Sequence, residues 1–315
     1  MSEATIAVIG AGAWGTALAI LQARAGRPVT LWARQPRVAD EMTATRSTPR
    51  LPGIELPPTI TIVSNALPDA DIRIIAVPMQ HIAALPLSGG GPLVLCCKGV
   101  ETGTLRLAPE IFPAAAILTG PNFADEIAAG LPAAAVLATP DSALRTQLMQ
   151  ALRTDTLRLY GSPDSVGAAL GGAAKNVIAI AAGMVIGAGL GENARAALIT
   201  RGIVEIGRLA AALGGRAETI SGLSGLGDLL LTCTGTRSRN FSLGLALGRG
   251  EMLGNILAAR TNVTEGVATA PALLARGEAA GVDMPVTAAV TQLLAGRTSI
   301  AQAMSALMGR AQKEE

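Results

Sequence analysis

Apolar runs of four to six residues, rich in Val and Ile, recur through the first half of the chain and are separated by stretches with helical spacing. Thr5–Ile9, Val29–Trp32, Ile60–Val63, Ile72–Val77, Leu93–Cys97, Ala115–Leu118, Ala134–Ala138 and Leu157–Tyr160 read as buried strands. Strands of this kind alternating with helices predict an α/β fold, a doubly wound parallel sheet. After Ser162 the strand signals stop. From Asp164 onward the chain is rich in Ala and Leu at helical spacing, punctuated by Gly214–Gly215 and by stop signals before Pro271 and Pro285. Two domains are expected, a sheet domain over residues 1–165 and an all-helical C-terminal domain over 166–315.

Directly after the first apolar run, residues 10–19 read GAGAWGTALA. A strand, then G-x-G-x-x-G, then a helix-forming run is the dinucleotide fingerprint of a Rossmann-type sheet. Gly10 makes the tight turn, Gly12 lets backbone approach a pyrophosphate, and Gly15 lets the helix pack on the strand. Ala13 and Trp14 complete the turn, and the helix N-terminus aims its free N–H groups at the phosphates. After the second run, where an enzyme strict for NAD usually places Asp or Glu against the ribose 2′-hydroxyl, this chain offers Trp32, Ala33 and Arg34. Arg34 is therefore expected to face a 2′-phosphate. The cofactor is expected to be NADP or NAD, with NADPH at least as good as NADH.

Composition narrows the remaining classes. At 315 residues the chain can bury a large core, half of it is hydrophobic, and only 2% is aromatic, so that core is built from Ala, Leu, Val and Ile. A formal net charge of +2 and the absence of like-charge runs leave no electrostatic footprint for nucleic acid. The longest apolar stretch, Val177 to Leu190, falls short of the ~20 residues of a membrane span and is broken by Gly183, Gly187 and Gly189; it predicts a buried helix. No signal peptide is evident at the N-terminus. Three cysteines, with Cys96 and Cys97 adjacent, form no metal spacing, and their odd count fits a reducing compartment. A cytoplasmic protein without a metal site is expected.

The chain has one histidine, His81, so a hydride-transferring enzyme built on it needs another proton carrier. Lysine can serve, because burial or a neighbouring cation pulls its pKa from ~10.4 toward ~7–8. Lys98 follows an apolar strand, at the sheet's carboxyl end where ligands bind in such folds; it reads equally as a solvated loop lysine. Lys175 stands in GGAAKNVIAIAAG, where a lone lysine either snorkels or serves a site, and Asn176 beside it needs a partner if buried. Asp228 and Thr232, four residues apart, share one face of a helix amid Leu229, Leu230 and Leu231. Ser238, Arg239 and Asn240 precede a helical run, so a helix cap, or an anion site of hydroxyl, guanidinium and backbone N–H groups, is open there.

Taken together these blocks resemble the bacterial-type NAD(P)-dependent glycerol-3-phosphate dehydrogenases over nearly the whole chain. The resemblance is carried by GAGAWGTALA, LWAR, CKGVE, GPNFADEIA, KNVIAIAAG, ENARAALITRG, GLGDLLLTCTGTRSRN and TEGVATA, in that order. It implies that Lys175 is the proton acceptor. It also implies that Lys98, Gly120, Asn122, Asp228, Ser238, Arg239 and Asn240 contact a small phosphorylated substrate. Trp14, Arg34, Lys98, Ala124, Arg239, Val263 and Glu265 would line the cofactor. The implied reaction is reversible reduction of dihydroxyacetone phosphate to sn-glycerol 3-phosphate, feeding glycerophospholipid synthesis; a homodimer is left open. Two departures stand out, Asn122 where the family usually carries Ser or Thr, and VPMQHI where a Ser-containing loop is commoner. A β-hydroxyacid dehydrogenase of the 6-phosphogluconate type and a non-catalytic dinucleotide sensor are the rival readings.

Overall fold

A computed structural model describes residues 4–87, 89–260 and 264–310. Eight strands form one sheet: β1 Ile6–Ile9, β2 Val29–Trp32, β3 Ile60–Val63, β4 Ile72–Ile75, β5 Leu93–Leu95, β6 Ala116–Thr119, β7 Ala133–Ala138 and β8 Leu157–Ser162. Their order is β3-β2-β1-β4-β5-β6-β7-β8, with the doubly wound reversal between β1 and β4. Every neighbouring pair is parallel except β6 and β7, which run antiparallel with Thr119 opposite Val136. That pair corrects the all-parallel expectation. Between β6 and β7 lies only the six-residue helix Ala124–Ala129, which rises about 9 Å. A parallel return needs a crossover long enough to carry the chain back along a strand of roughly 13–20 Å. β4 and β5 also end two residues earlier than the sequence reading placed them, which leaves Ala76, Val77, Cys96 and Cys97 in connecting segments.

The described chain divides into two compact units, one of residues through Lys98 with Ala108–Ala169, the other of Gly99–Leu107 with residues from Leu170. Beside the sheet the first unit carries α1 Ala13–Arg24, α2 Pro36–Thr45, α3 Ala108–Ile111, α4 Ala124–Ala129 and α5 Ser142–Ala151. Residues 15–23 of α1 are buried without a break, so this helix is covered on all sides and lies inside the unit. It packs on α4, and the Arg24 guanidinium donates to the Ala128 carbonyl at the end of that helix.

From Ser165 onward the described elements are helices: α6 Ser165–Gly187, α7 Gly191–Ala212, α8 Ala217–Ile220, α9 Asp228–Cys233, α10 Arg239–Gly248, α11 Leu253–Ala258, α12 Glu265–Ala279, α13 Pro285–Leu294 and α14 Ile300–Met308. α6 corrects the length expected of the apolar stretch. Its 23 residues are long and apolar enough to cross a membrane, yet 94% of its most apolar window is buried within the protein. α6 and α10 cross backbone to backbone. A Cβ on Gly183 would stand 2.1 Å from the Phe241 carbonyl oxygen, one on Gly187 2.2 Å from that of Leu245, and one on Gly244 2.0 Å from that of Ile180. α12 runs through Pro271, where the sequence predicted a stop; burial of Ala270, Ala272 and Leu273 on that turn outweighs the missing N–H.

Candidate active site

In the first unit the site begins at the turn after β1. Gly10 holds φ +117°, and a Cβ there would press 2.7 Å from the Ala76 carbonyl. On Gly15 a Cβ would overlap the Gly10 carbonyl, so both positions admit only glycine. Gly12 differs. Its φ of −75° suits any residue, and a Cβ on it would meet nothing within 4 Å. No packing inside the chain requires glycine there; space for a phosphate does. Gly12 is also the N-cap of α1 and offers no side-chain cap, which leaves the first amides, those of Ala13, Trp14 and Gly15, to a ligand. The residues present therefore fit a dinucleotide pyrophosphate.

Trp14 is half-buried, and its indole N–H faces the Cys96 sulfur. Burial pushes that thiol up to about 12, so Cys96 stays protonated. Arg34 is exposed just beyond β2, and Arg37 is exposed in the first turn of α2. Lys98 is half-buried after β5 and donates to the Gly120 carbonyl at 3.4 Å. Gly120 has φ +151° at the end of β6, and a Cβ on it would stand 3.0 Å from Ala135. Asn122 donates its amide to the Ala134 carbonyl at 3.1 Å. Lys98, Gly120 and Asn122 are thus gathered at the ends of β5 and β6, and Ala124 opens α4 beside them.

The second unit builds its polar centre from four helices. Lys175 on α6 and Asp228 on α9 form a buried ion pair with a hydrogen bond between them. Asp228 is completely buried, and one turn of π-helix, Leu223–Gly227, leads into it. Such turns recur at functional sites because they re-aim the side chains that follow. Thr232 bonds back to the Asp228 carbonyl at 2.6 Å. Cys233 ends α9 near Lys175 and Asp228, and burial pushes its thiol up to about 12 against the pull of the lysine. It cannot relay protons near neutrality.

Asn176 finds the partner its burial demands: Asn240 on α10 donates to its side-chain oxygen at 2.9 Å. The Asn240 oxygen in turn accepts from the Gly266 N–H of α12 at 3.1 Å. Ser238 is the N-cap of α10, accepting from Phe241 N–H at 3.2 Å, with Arg239 exposed and Asn240 buried behind it. Glu265 is the first residue of α12. Val263 lies outside the described residues. The sequence reading missed the Asn176–Asn240–Gly266 chain, because its members are 64 and 26 residues apart. It also missed Arg260, which donates to the Arg239 carbonyl at 2.7 Å and to Ser242 Oγ at 3.0 Å.

A glycine turn that fits a pyrophosphate at the switch point of a doubly wound sheet, followed by a helical unit with a buried lysine–aspartate pair, defines the class of two-part nucleotide-dependent dehydrogenases. Family models described as the N-terminus and the C-terminus of NAD-dependent glycerol-3-phosphate dehydrogenase match residues 5–145 and 164–305. The chain belongs to that family. It is 58% identical, over 98% of both chains, to a glycerol-3-phosphate dehydrogenase (NAD(P)+) of Acidiphilium cryptum, and 51% identical over 97% of both to one of Gluconobacter oxydans. The crystal structure of the Coxiella burnetii glycerol-3-phosphate dehydrogenase superposes with a TM-score of 0.91 at 36% identity, covering 98% of this chain and 99% of that one.

Proposed function

We infer that the protein reduces dihydroxyacetone phosphate to sn-glycerol 3-phosphate with NADPH or NADH, reversibly, and that the product supplies glycerophospholipid synthesis. The observation that carries this reading is the buried Lys175–Asp228 pair inside a chain whose two halves both match the glycerol-3-phosphate dehydrogenase family. Residues 1–165 serve as the dinucleotide-binding part and 166–315 as the substrate and catalytic part. The three free cysteines, all buried, fit a reducing cytoplasm.

A bound reduced nicotinamide supplies the hydride. Lys175 gives its proton to the substrate carbonyl oxygen, and in the reverse direction takes it from the hydroxyl. Asp228 holds the lysine in place through the exchange and, as a negative charge beside it, favours the ammonium form, whose proton is restored from solvent. Lys98 adds positive charge where the carbonyl oxygen becomes negative. Ser238, Arg239 and Asn240 grip the phosphate: the helix start supplies N–H groups, Arg239 a guanidinium, and Asn240 the one amide hydrogen that Asn176 does not take. That grip orients the carbonyl, since the phosphate itself does not react. On the cofactor side Gly10, Gly12, Ala13, Trp14, Gly15, Arg34, Lys98, Ala124, Arg239 and Glu265 serve, and Val263 is retained from the family resemblance.

The test is the loss of NADPH absorbance on adding dihydroxyacetone phosphate, set against NADP reduction with 3-hydroxy acids. Turnover with the first and none with the second is expected. The opposite result would make the protein a β-hydroxyacid dehydrogenase, and no turnover with either would favour the sensor reading.

A further inference from the structure

At the end of β6 two polar atoms are buried without a hydrogen-bond partner, Thr119 Oγ1 and Asn122 Oδ1. Buried polar atoms are nearly always paired, so two of them three residues apart ask for an explanation. The orientation of the Asn122 carboxamide is set by chemistry. Its amide nitrogen faces the Ala134 carbonyl at 3.1 Å, and a carbonyl oxygen accepts only from N–H, which leaves the side-chain oxygen facing the other way. The antiparallel β7 supplies that carbonyl, and Gly120, having no side chain, leaves the amide room to reach it. Asn122 is therefore an acceptor toward whatever it meets. Serine or threonine at this position could donate or accept by turning its hydroxyl; Asn122 here cannot.

An acceptor cannot pair with a phosphate oxygen or a carbonyl oxygen. On the substrate proposed above, the one hydrogen-bond donor is the hydroxymethyl O–H at the end opposite the phosphate. We propose that Asn122 Oδ1, with the Thr119 hydroxyl, reads that O–H and makes the enzyme specific for a free hydroxyl next to the reacting carbonyl. Thr119 is buried on β6, opposite Val136, so its hydroxyl is held by the strand and lost to no other partner. The pair is a specificity device. Selection arises because an analogue lacking the hydroxyl leaves both buried atoms unpaired, a loss far larger than that of a missing apolar contact.

The proposal rests on the reading of the substrate as dihydroxyacetone phosphate, and the experiment separates the two. kcat/KM is measured for dihydroxyacetone phosphate and for its deoxy analogue, hydroxyacetone phosphate, whose hydroxymethyl group is replaced by methyl. The enzymes compared are wild type, Asn122→Ala, Thr119→Val and Thr119→Ser, with the NADPH Kd of each read by fluorescence. Wild type is expected to prefer the hydroxylated substrate by about 10–100-fold or more. Asn122→Ala and the near-isosteric Thr119→Val should shrink that preference about tenfold, chiefly by losing activity on the natural substrate, while Thr119→Ser keeps it and NADPH affinity stays unchanged. A preference unchanged in both Asn122→Ala and Thr119→Val overturns the proposal; so does a fall in NADPH affinity with the preference intact, which would assign the two atoms to the nicotinamide amide. If Asn122→Ala does not fold, Thr119→Val decides alone. Wild type inactive on dihydroxyacetone phosphate would instead remove the functional reading on which the proposal stands.

Discussion

At the β1–α1 turn of the first unit a Cβ on Gly12 would meet nothing within 4 Å, whereas at the α6–α10 crossing of the second unit a Cβ on Gly244 would stand 2.0 Å from the Ile180 carbonyl oxygen. The same residue type serves opposite purposes. In the first unit glycine keeps a surface open, and the groups offered there are the backbone amides of three consecutive residues, Ala13, Trp14 and Gly15. In the second unit glycine lets two helices touch, and the polar centre is built from side chains of α6, α9 and α10 joined to one backbone N–H, that of Gly266, from α12. A site made of backbone tolerates many side-chain changes around it. A site made of side chains depends on each one and on the packing that aligns them.

The largest effect is expected where a single side chain has no substitute. Lys175→Ala should lower kcat by roughly 10²–10⁴-fold, the usual worth of a general acid–base group, with NADPH affinity by fluorescence titration nearly unchanged. Lys175→Arg should not restore turnover, because arginine does not release its proton near neutrality. Substantial residual activity in either variant would reduce Lys175 to a structural cation and dissolve the contrast between the units.

The two kinds of glycine can be set against each other directly. Gly244→Ala forces a methyl group into a backbone contact and should cost about 1–3 kcal/mol or more, seen as a Tm lower by several degrees without any ligand. Gly12→Ala should leave the ligand-free Tm almost unmoved and weaken NADPH binding. If Gly12→Ala proved the more destabilising of the two, the glycine at the turn would be a packing residue after all.

A smaller effect sharpens the picture of the first unit. Arg34 is exposed beyond β2, and a charge-assisted contact with a 2′-phosphate is worth about 1.5–3 kcal/mol. Arg34→Ala should therefore weaken NADPH about tenfold or more and spare NADH. Equal losses for both cofactors would show that the guanidinium does not read the phosphate.

The smallest effect concerns stability in the second unit. Glu205 on α7 is buried and accepts from the N–H groups of Val286 (2.8 Å) and Thr287 (3.0 Å) at the start of α13, and from the Thr287 hydroxyl. Burial outweighs these hydrogen bonds and raises its pKa above the ordinary 4.5. A carboxyl whose folded-state pKa is raised contributes most below its unfolded pKa and loses that contribution as pH rises through the folded value. Wild-type stability relative to Glu205→Gln, measured by urea unfolding, should thus decline as pH rises above about 4.5. A difference that grows with pH would mean the hydrogen bonds prevail over burial.

How far the sequence could be read follows the same division. Gly10, Gly12 and Gly15 were legible because the turn, the strand before it and the helix after it are contiguous, so spacing alone conveys the geometry. The places of Ser238 as an N-cap and Asp228 beside Thr232 were legible for the same local reason. The Asn176–Asn240–Gly266 chain was not, since no spacing within one helix announces a partner 64 residues away. The antiparallel β7 was missed because strand composition carries no direction; only the brevity of α4 does. Pro271 misled because local propensity counts the missing N–H and cannot count the burial of its neighbours.

Helix α6 has a further consequence, for the chain as it is being made. Arg239, the first residue of α10, follows Gly187 by 52 residues, so at about 5–20 residues per second α6 leaves the ribosome roughly 3–10 s before the helix that crosses it. For that interval a nascent segment as apolar as a membrane span has no cover. Lys175 stands next to the midpoint of Ser165–Gly187, where a lysine opposes membrane insertion by about 2.5–3.5 kcal/mol. One ammonium thus acts at two different times, first opposing insertion of the newborn helix into a membrane, and later as the buried partner of Asp228.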